Sequence, residues 1–123
     1  MTNTPAHDPN DLGAYFIERG NAGDVEGLVA LYEPDALLAF PPGATSRGHA
    51  EIRKVYEQFL AAAPVLEPGR QHPPLICGDL ALTVSTLTTG EMAVEIARRQ
   101  PDGSWLWVLD QPMLLPDLPT PRV

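Results

Sequence analysis

Two carboxylates stand in apolar stretches of this sequence, where a charge is unexpected. Glu95 lies between Val94 and Ile96, and Asp110 follows the apolar run 105–109. A carboxyl group that faces an apolar cavity has a raised pKa and can exchange protons near neutral pH. Both residues are therefore candidate catalytic acid–base groups. Two plainer alternatives remain open: Glu95 faces outward beside an arginine, and Asp110 only binds a neighbouring loop.

The other reactive residue types form no pattern that indicates a cofactor. His7, His49 and His72 are not spaced as metal ligands, and no glycine-rich loop suited to a phosphate is present. We therefore expect no metal site and no cofactor. Cys77 is the only cysteine, which excludes an intrachain disulfide, and its apolar neighbours predict a buried side chain.

The hydrophobic pattern predicts helices early in the chain and hairpins late. Helices are expected from Asp11, after an N-cap at Asp24 with a buried face that includes Tyr32, and from Gly48. The third is the clearest, because apolar residues recur from Ile52 at i, i+3, i+4, i+7 and i+8. Strands are expected at 35–40, 72–77, 80–85, 92–100 and 105–109. This order predicts an α+β fold with the helices on one face of an antiparallel sheet.

The run at 105–109 is apolar at every position, as in a strand that is covered on both faces. Simple alternation places Trp105 and Trp107 on one face and Leu106, Val108 and Asp110 on the other. We expect the tryptophans on the outer face, covered by a second copy of the chain in a homodimer. Asp110 then points towards the helices and the interior.

The composition indicates a single acidic domain. The chain has 123 residues, a net charge of −8 and Lys54 as its only lysine. A nucleic-acid partner would require a basic surface, so we expect none. No apolar run reaches the ~18 residues of a membrane span, which predicts a cytoplasmic protein without a membrane partner. Prolines near both ends predict a disordered or irregular tail at 1–10 and a proline-rich tail at 113–123, around a domain at 11–112.

Short motifs in the first half carry a resemblance to a known family. They are NAGD at 21–24, LVALY at 28–32, DA at 35–36, Pro41, Gly43 and the pair Gly48 and Ile52. This order resembles the ketosteroid isomerases and, more broadly, the NTF2-like superfamily with its SnoaL-like polyketide cyclases. GDLA at 78–81 and the stretch 98–110 are similar to SnoaL-like proteins of the DUF4440 group. The resemblance covers residues 12–112.

The resemblance implies an NTF2-like cone. In this fold a curved antiparallel sheet wraps around a long helix, with two shorter helices before it and an apolar pocket at the wide end. Members often dimerise through the outer sheet face, as expected above for Trp105 and Trp107. One fold of this kind hosts many functions, so the fold alone does not give the activity.

The isomerase chemistry does not carry over to this chain. The position of the family's aspartate base is occupied by Phe40, and the position of its oxyanion-binding tyrosine by Phe16. Phenylalanine neither accepts a proton nor donates a hydrogen bond. Tyr15 does not substitute, because consecutive helical residues point ~100° apart. We therefore expect no steroid isomerisation by the usual mechanism.

The third catalytic position of the isomerases falls near Glu95, and Tyr32 and Tyr56 match tyrosines that line or support the isomerase pocket. Alternatively, Tyr32 and Tyr56 are core aromatic residues at helical spacing. The candidate ligand-binding residues are Tyr15, Phe16, Tyr32, Phe40, Tyr56, His72 and Val108.

Three functions remain open. The first is a pocket protein that binds or transforms an apolar small molecule. The second is a non-catalytic association domain that serves mainly as a dimer module. The third is a cofactor-free isomerase or cyclase with relocated acid and base groups. The number of ionisable groups that converge in the pocket discriminates between them, since two favour an enzyme and none favours an association domain.

Overall fold

The computed structural model describes residues 4–114, and the α+β fold predicted from the sequence is confirmed. The helices are α1 (Asp11–Asn21), α2 (Val25–Val29) and α3 (Gly48–Ala61). The strands are β1 (Tyr32–Leu38), β2 (Ser46–Arg47), β3 (Arg70–Gln71), β4 (Leu75–Cys77), β5 (Leu80–Thr86), β6 (Met92–Arg99) and β7 (Trp105–Leu114). None of these three helices is long and apolar enough to cross a membrane.

The structure describes part of each predicted tail. Residues 4–10 are irregular, yet Ala6 is buried and its carbonyl accepts a hydrogen bond from Trp105 N at 2.8 Å. Strand β7 continues to Leu114, two residues beyond the predicted domain end. The rest of the tails, at 1–3 and 115–123, lies outside the described residues.

The helix predicted after Asp24 is shorter than expected. Asp24 is its N-cap, and its side chain accepts from Gly27 N at 2.9 Å. The prediction that Tyr32 belongs to this helix is wrong, because the helix ends at Val29 and Tyr32 begins β1. Tyr32 pairs with Trp107 of β7, and Trp107 N donates to Leu31 O. Pairing with a distant strand therefore overrides the local helical pattern.

The sheet is mixed rather than wholly antiparallel. Its strand order is β2-β1-β7-β6-β5-β3, and β4 also pairs with β5. All pairings are antiparallel except that of β1 with β7, which is parallel. The strand predicted at 72–77 is shortened to β4, because Pro73 and Pro74 have no N–H to donate to a ladder, and a separate short strand, β3, precedes it.

A β-bulge at Val108 reverses the expected face of the tryptophans. Ile96 pairs with Leu109 and the next residue, Ala97, pairs with Trp107, so β7 has one extra residue between these pairs. The prediction that Trp105 and Trp107 lie on the outer face is wrong, since they are 2% and 3% exposed within the single chain. The bulge lets β7 point both its tryptophans and Asp110 inward.

Helix α3 packs on the inner face of the sheet, against β1 and β2, with α2 beside it. Its buried residues Ile52 and Tyr56 join a core that also contains Leu12 of α1, Leu38 of β1 and Trp107 of β7. Phe16 of α1 packs against Trp107 and Tyr56, with ring centroids 6.0 and 5.9 Å apart. This aromatic group fixes α1 and α3 over the sheet.

The outer face of the sheet carries an apolar row that crosses four strands. Leu75 pairs with Leu82, Leu82 with Ile96 and Ile96 with Leu109. Leu75, Leu82 and Leu109 are exposed and Ile96 is half-buried. Cys77 of β4 is also exposed, so the prediction that its side chain is buried is wrong: β4 is a three-residue strand, exposed at every position.

Candidate functional site

A cavity of about 600 Å³ lies between α1, α3 and the inner face of β5, β6 and β7. Most of its wall is apolar and includes Phe16, Ile17, Phe40, Phe59 and Trp107. Segments that begin after α3 and after β5 also contribute, through Val65, Leu66 and Leu87. A cavity of this size and character suits a small apolar molecule.

Polar side chains are gathered on one part of this wall, which we call the polar end of the cavity. It consists of Tyr56 from α3, Thr83 from β5, Glu95 from β6 and Asp110 from β7. Tyr56, Thr83 and Asp110 are buried, and Glu95 is half-buried. The cavity thus combines an apolar body with a few convergent polar groups, as ligand sites usually do.

The two carboxylates of the polar end are direct cross-strand partners. Glu95 of β6 and Asp110 of β7 are paired through their Cα atoms. The Cβ atoms of such partners lie roughly 4.5–5.5 Å apart and project from the same face of the sheet. Within residues 4–114, no group of three or more His, Cys, Asp or Glu side chains is arranged to hold a metal ion.

A chain of three hydrogen-bonded side chains leads from α3 to Asp110. The Tyr32 hydroxyl donates to Asp110 Oδ2 at 2.5 Å. The hydroxyl oxygens of Tyr32 and Tyr56 are 2.6 Å apart. Since Tyr32 uses its only hydrogen on Asp110, Tyr56 must donate to Tyr32. The Thr83 hydroxyl on β5 donates to Glu95 Oε1 on β6 at 2.7 Å. Each carboxylate therefore accepts one hydrogen bond from a neighbouring element.

Burial shifts the pKa of both carboxyl groups towards neutrality. Loss of solvent raises the pKa of Asp110 to about 7, although the hydrogen bond from Tyr32 acts in the opposite direction. Burial, and then the nearby charge of Asp110, raise the pKa of Glu95 to about 8, against the hydrogen bond from Thr83. Burial also raises the pKa of Tyr32 and of Tyr56 well above the usual value, so both hydroxyls stay neutral.

One buried donor near the polar end has no acceptor. The indole Nε1 of Trp107 is buried and forms no hydrogen bond within the described residues. Its ring lies among Phe16 and Tyr32, with centroids 6.0 and 5.2 Å away. Because the nitrogen atom itself is buried, Trp107 contributes mainly its apolar ring to the cavity.

The structure brings together five of the residues proposed from the sequence. Glu95, Asp110, Phe16, Phe40 and Tyr56 all line the cavity. Both phenylalanines at the positions of the isomerase base and donor therefore face it, where they supply no proton transfer. Tyr32 lies behind this wall and reaches the site through its hydrogen bond to Asp110.

Three other proposed ligand-binding residues lie outside the lining of this cavity. The Arg19 guanidinium lies over the Tyr15 ring, with its Cζ atom 5.0 Å from the ring centroid. His72 Nε2 lies 3.0 Å from Thr86 Oγ1, at the edge of the sheet. Val108 occupies the bulge of β7. None of these three is therefore placed to touch a ligand in this cavity, and their ligand-binding role stays a prediction.

Sequence reasoning missed Trp107, Thr83 and Phe59 as cavity residues. Phe59 follows Ile52 by seven positions, so the helical periodicity already placed it on the inner face of α3. Thr83 alternates with Leu82 and Val84 along β5, which marked it as facing away from the apolar outer residues. For Trp107 no local signal existed, because the bulge inverts its face.

The comparison with known proteins identifies the family of this chain. Residues 13–110 match the model of the SnoaL-like domain. No curated protein matches the sequence. Solved structures agree on the fold, including the cystatin-like α+β topology.

Three of these structures illustrate the similarity. A candidate calcium/calmodulin-dependent protein kinase type II association domain from Thiobacillus denitrificans ATCC 25259 has a TM-score of 0.71 and 19% identity, over 92% of this chain and 99% of that one. A protein of unknown function with a cystatin-like fold from Nostoc punctiforme has a TM-score of 0.66 and 21% identity, over 89% and 90%. A ketosteroid isomerase-like protein from Erwinia carotovora atroseptica has a TM-score of 0.67 and 17% identity, over 82% and 88%.

These likenesses concern the fold, whereas the match to the domain model spans most of the chain, including α1, α3 and the carboxyl pair. The chain therefore belongs to the family of SnoaL-like domains.

Proposed function

We propose that this chain is an acid–base enzyme that moves a proton within an apolar small molecule, in an isomerisation or a cyclisation. The observation that carries the proposal is the convergence of Glu95 and Asp110 in one apolar cavity. Two ionisable groups in the pocket are what distinguishes an enzyme from a passive cone. Their raised pKa values favour one shared proton near neutral pH.

A pair of carboxyl groups with one proton supplies both an acid and a base. The ionised carboxylate accepts a proton from a ligand O–H or C–H, and the neutral carboxyl group donates its proton to another atom of the ligand. Atoms balance, because the ligand loses one proton and gains one. Exchange with solvent then restores the pair. The Tyr32 hydroxyl stabilises Asp110 whenever Asp110 carries the charge.

The apolar wall contributes by holding the ligand and by excluding water. Phe16, Phe40 and Phe59 offer aromatic faces and no hydrogen bonds. Phe40 and Phe59 pack edge to face, with ring centroids 5.9 Å apart. A proton transfer in such a surrounding is sensitive to the charge of each carboxyl group, since little water screens it.

Proton exchange in D₂O tests this function without knowledge of the natural substrate. A panel of apolar cyclic ketones with enolisable C–H groups is incubated with the protein, and loss of the α-proton signal is followed by NMR. We expect protein-dependent exchange for at least one member. Glu95→Gln with Asp110→Asn should lower its rate by roughly 10²–10⁴-fold, the usual contribution of acid–base groups.

The matched control is Glu57→Gln, which makes the same chemical change at an exposed position of α3. Its exchange rate should equal that of the unsubstituted protein. If the double variant exchanges protons as fast as the control, the carboxyl pair is not the acid–base catalyst and the proposal is wrong.

A second candidate function, a non-catalytic association domain, is favoured by the outer face of the sheet. The apolar row formed by Leu75, Leu82, Ile96 and Leu109 has no cover within residues 4–114. One protein of similar fold is itself described as a candidate association domain. A homodimer through this row replaces the dimer expected through the tryptophans. Such a dimer leaves the cavity of each protomer free, so it is compatible with an enzymatic function.

A further inference from the structure

We propose that the polar end of the cavity selects a ligand whose polar group is a hydroxyl, and that protonation of the carboxyl pair turns this preference towards a ketone. This inference deepens the proposed function and rests on it, because it assumes that an apolar ligand occupies the cavity. It follows from the hydrogen-bond donors and acceptors that the polar end has left for a ligand.

The hydroxyl hydrogens at the polar end are already used inside the protein. Tyr32 donates to Asp110 Oδ2, and Tyr56 consequently donates to Tyr32. Thr83 donates to Glu95 Oε1. None of these three hydroxyls has a second hydrogen, so towards the cavity Tyr56 and Thr83 can only accept.

The carboxylate oxygens that have no partner inside the protein can likewise only accept hydrogen bonds while the groups are ionised. Glu95 Oε2 and Asp110 Oδ1 remain available, and an ionised carboxylate has no hydrogen to give. Among the cavity-lining residues of the described chain there is no Lys, Arg or His. Side-chain donors outside the polar end are carried by Asn10, Gln71, Thr88 and Thr89, and the Asn10 and Gln71 amides already donate to His72 O and Asn10 O. The indole nitrogen of Trp107 is itself buried. Ser85, half-buried on β5, has a hydroxyl that can act in either role.

A buried ligand oxygen must therefore supply the hydrogen when both carboxyl groups are ionised. A hydroxyl group does so and forms a hydrogen bond to a charged acceptor. A ketone oxygen in the same place meets only acceptors among the four residues of the polar end, and these residues do not replace the hydrogen bonds to water that it loses. The polar end then discriminates between two ligands that differ by a single oxidation level.

Protonation reverses this situation, because each neutral carboxyl group gains one O–H donor. The titratable groups that face Asp110 are Glu95 from β6, Tyr32 from β1 and Tyr56 from α3. Both tyrosines stay neutral, so the two carboxyl groups alone change charge. Glu67 and Glu91 also line the cavity, from the loop after α3 and the turn before β6. The preference should therefore change as the carboxyl pair titrates.

The probes are trans-2-decalol and trans-2-decalone, which have the same bicyclic body and differ in their oxygen group. Neither titrates between pH 5.5 and 9.5, so isothermal titration calorimetry compares their affinities without a change in the charge of either probe. At about pH 9.5 we expect the alcohol to bind ~10-fold more tightly than the ketone, as a hydrogen bond to a charged group implies. At about pH 5.5 this ratio should fall at least ~5-fold or invert.

A double amide variant, Glu95→Gln with Asp110→Asn, tests the same inference without a pH change. Each amide keeps an oxygen that can accept from Thr83 or Tyr32, and each adds an NH₂ donor towards the cavity. This variant should prefer the ketone at both pH values. Glu57→Gln, the matched exposed change, should behave as the unsubstituted protein. Circular dichroism verifies that the variants are folded.

The outcomes separate this inference from the proposed function. If both probes bind equally at pH 9.5, or if their ratio does not change with pH, the inference is wrong and the acid–base function stands. If the double amide variant still prefers the alcohol, the inference is likewise wrong and the acid–base function stands. If neither probe binds to the unsubstituted protein, the cavity is not a site for apolar ligands, and both proposals are wrong.

Discussion

Glu95 and Asp110 pair directly across β6 and β7, and the charge of Asp110 raises the pKa of Glu95 beyond the effect of burial. The two groups therefore titrate together, and the first proton released changes the affinity for the second. Each is also held by a donor from another strand, Thr83 for Glu95 and Tyr32 for Asp110. The predictions below follow from this arrangement and from the two faces of the sheet.

The stability of the fold should decrease as the pH rises from about 4 to about 8. In that window the native carboxyl groups at 95 and 110 retain protons that the unfolded chain has lost, since their native pKa values are raised. The native state then binds more protons, and the free energy of unfolding falls with pH, by an amount on the order of a few kcal/mol. Their contribution is complete below the unfolded pKa values and is lost as the pH passes the native ones.

Urea denaturation at one-unit pH intervals measures this effect. The double amide variant should lack the decrease, and its stability relative to the unsubstituted protein should grow with pH. Glu57→Gln should retain the decrease. Parallel pH profiles of the double variant and the unsubstituted protein would show that the two carboxyl groups do not carry raised pKa values.

Tyr32→Phe should destabilise the fold and raise the pKa of Asp110 further. The substitution removes the donor to Asp110 and the acceptor of Tyr56, which leaves two buried polar groups without their partner. We expect a loss of about 1–3 kcal/mol in the free energy of unfolding. The hydrogen bond from Tyr32 lowers the pKa of Asp110, so its loss raises it. The carboxyl ¹³C shift of Asp110, followed by NMR against pH, reports that change.

The control for this prediction is Tyr15→Phe, which removes a hydroxyl from a half-buried tyrosine outside the cavity. It should change stability by less than ~0.5 kcal/mol and leave the titration of Asp110 unaltered. An Asp110 titration that is the same in Tyr32→Phe and in the unsubstituted protein would contradict the hydrogen-bonded chain.

The protein should not isomerise Δ5-3-ketosteroids. Phe16 and Phe40 face the cavity at the positions of the family's donor and base, and neither takes part in proton transfer. We expect the rate of conjugated-enone formation, measured by ultraviolet absorbance, to stay at the buffer level at all protein concentrations. A rate that increases in proportion to protein concentration, and that is lost in the double amide variant, would show that the relocated pair supports this reaction.

The chain should form a homodimer through the apolar row of the outer sheet face. Ile96 lies at the centre of the row, between Leu82 and Leu109. Ile96→Glu places a charge in this position and should shift the protein from dimer to monomer, because a buried unpaired carboxylate is costly. Light scattering after size-exclusion chromatography measures the mass. Val65→Glu, a similar change at an exposed residue of the loop after α3, serves as control. A monomeric unsubstituted protein at micromolar concentration would contradict this prediction.

Local sequence patterns were sufficient for α1, for α3 and for Glu95. The periodic residues from Ile52 predict α3 with its start at Gly48, which is where the structure has it. An acidic residue within an apolar strand, as at Glu95, is a signal that needs no tertiary information. The family resemblance likewise placed Phe16 and Phe40 at the cavity.

Features that depend on pairing between distant strands were beyond local patterns. Tyr32 continues the helical spacing after Asp24, yet β7 offers it a parallel partner in Trp107. Asp110 was expected inside on the ground that the tryptophans lie outside, and that reasoning was wrong although the position is correct. Alternation with period two holds only where each residue has one partner, and at Val108 this condition fails.

The extra residue at Val108 gives β7 two independent halves. In an unbroken strand, the face of every side chain is set by a single choice of register, so an aromatic anchor and an acid three positions apart would point in opposite directions. Here Trp107 anchors the core before the bulge, and Asp110 serves the cavity after it. The inward positions after the bulge therefore follow a different register from Trp105 and Trp107. The bulge thus lets one strand supply both a buried aromatic side chain to the core and a carboxyl group to the cavity.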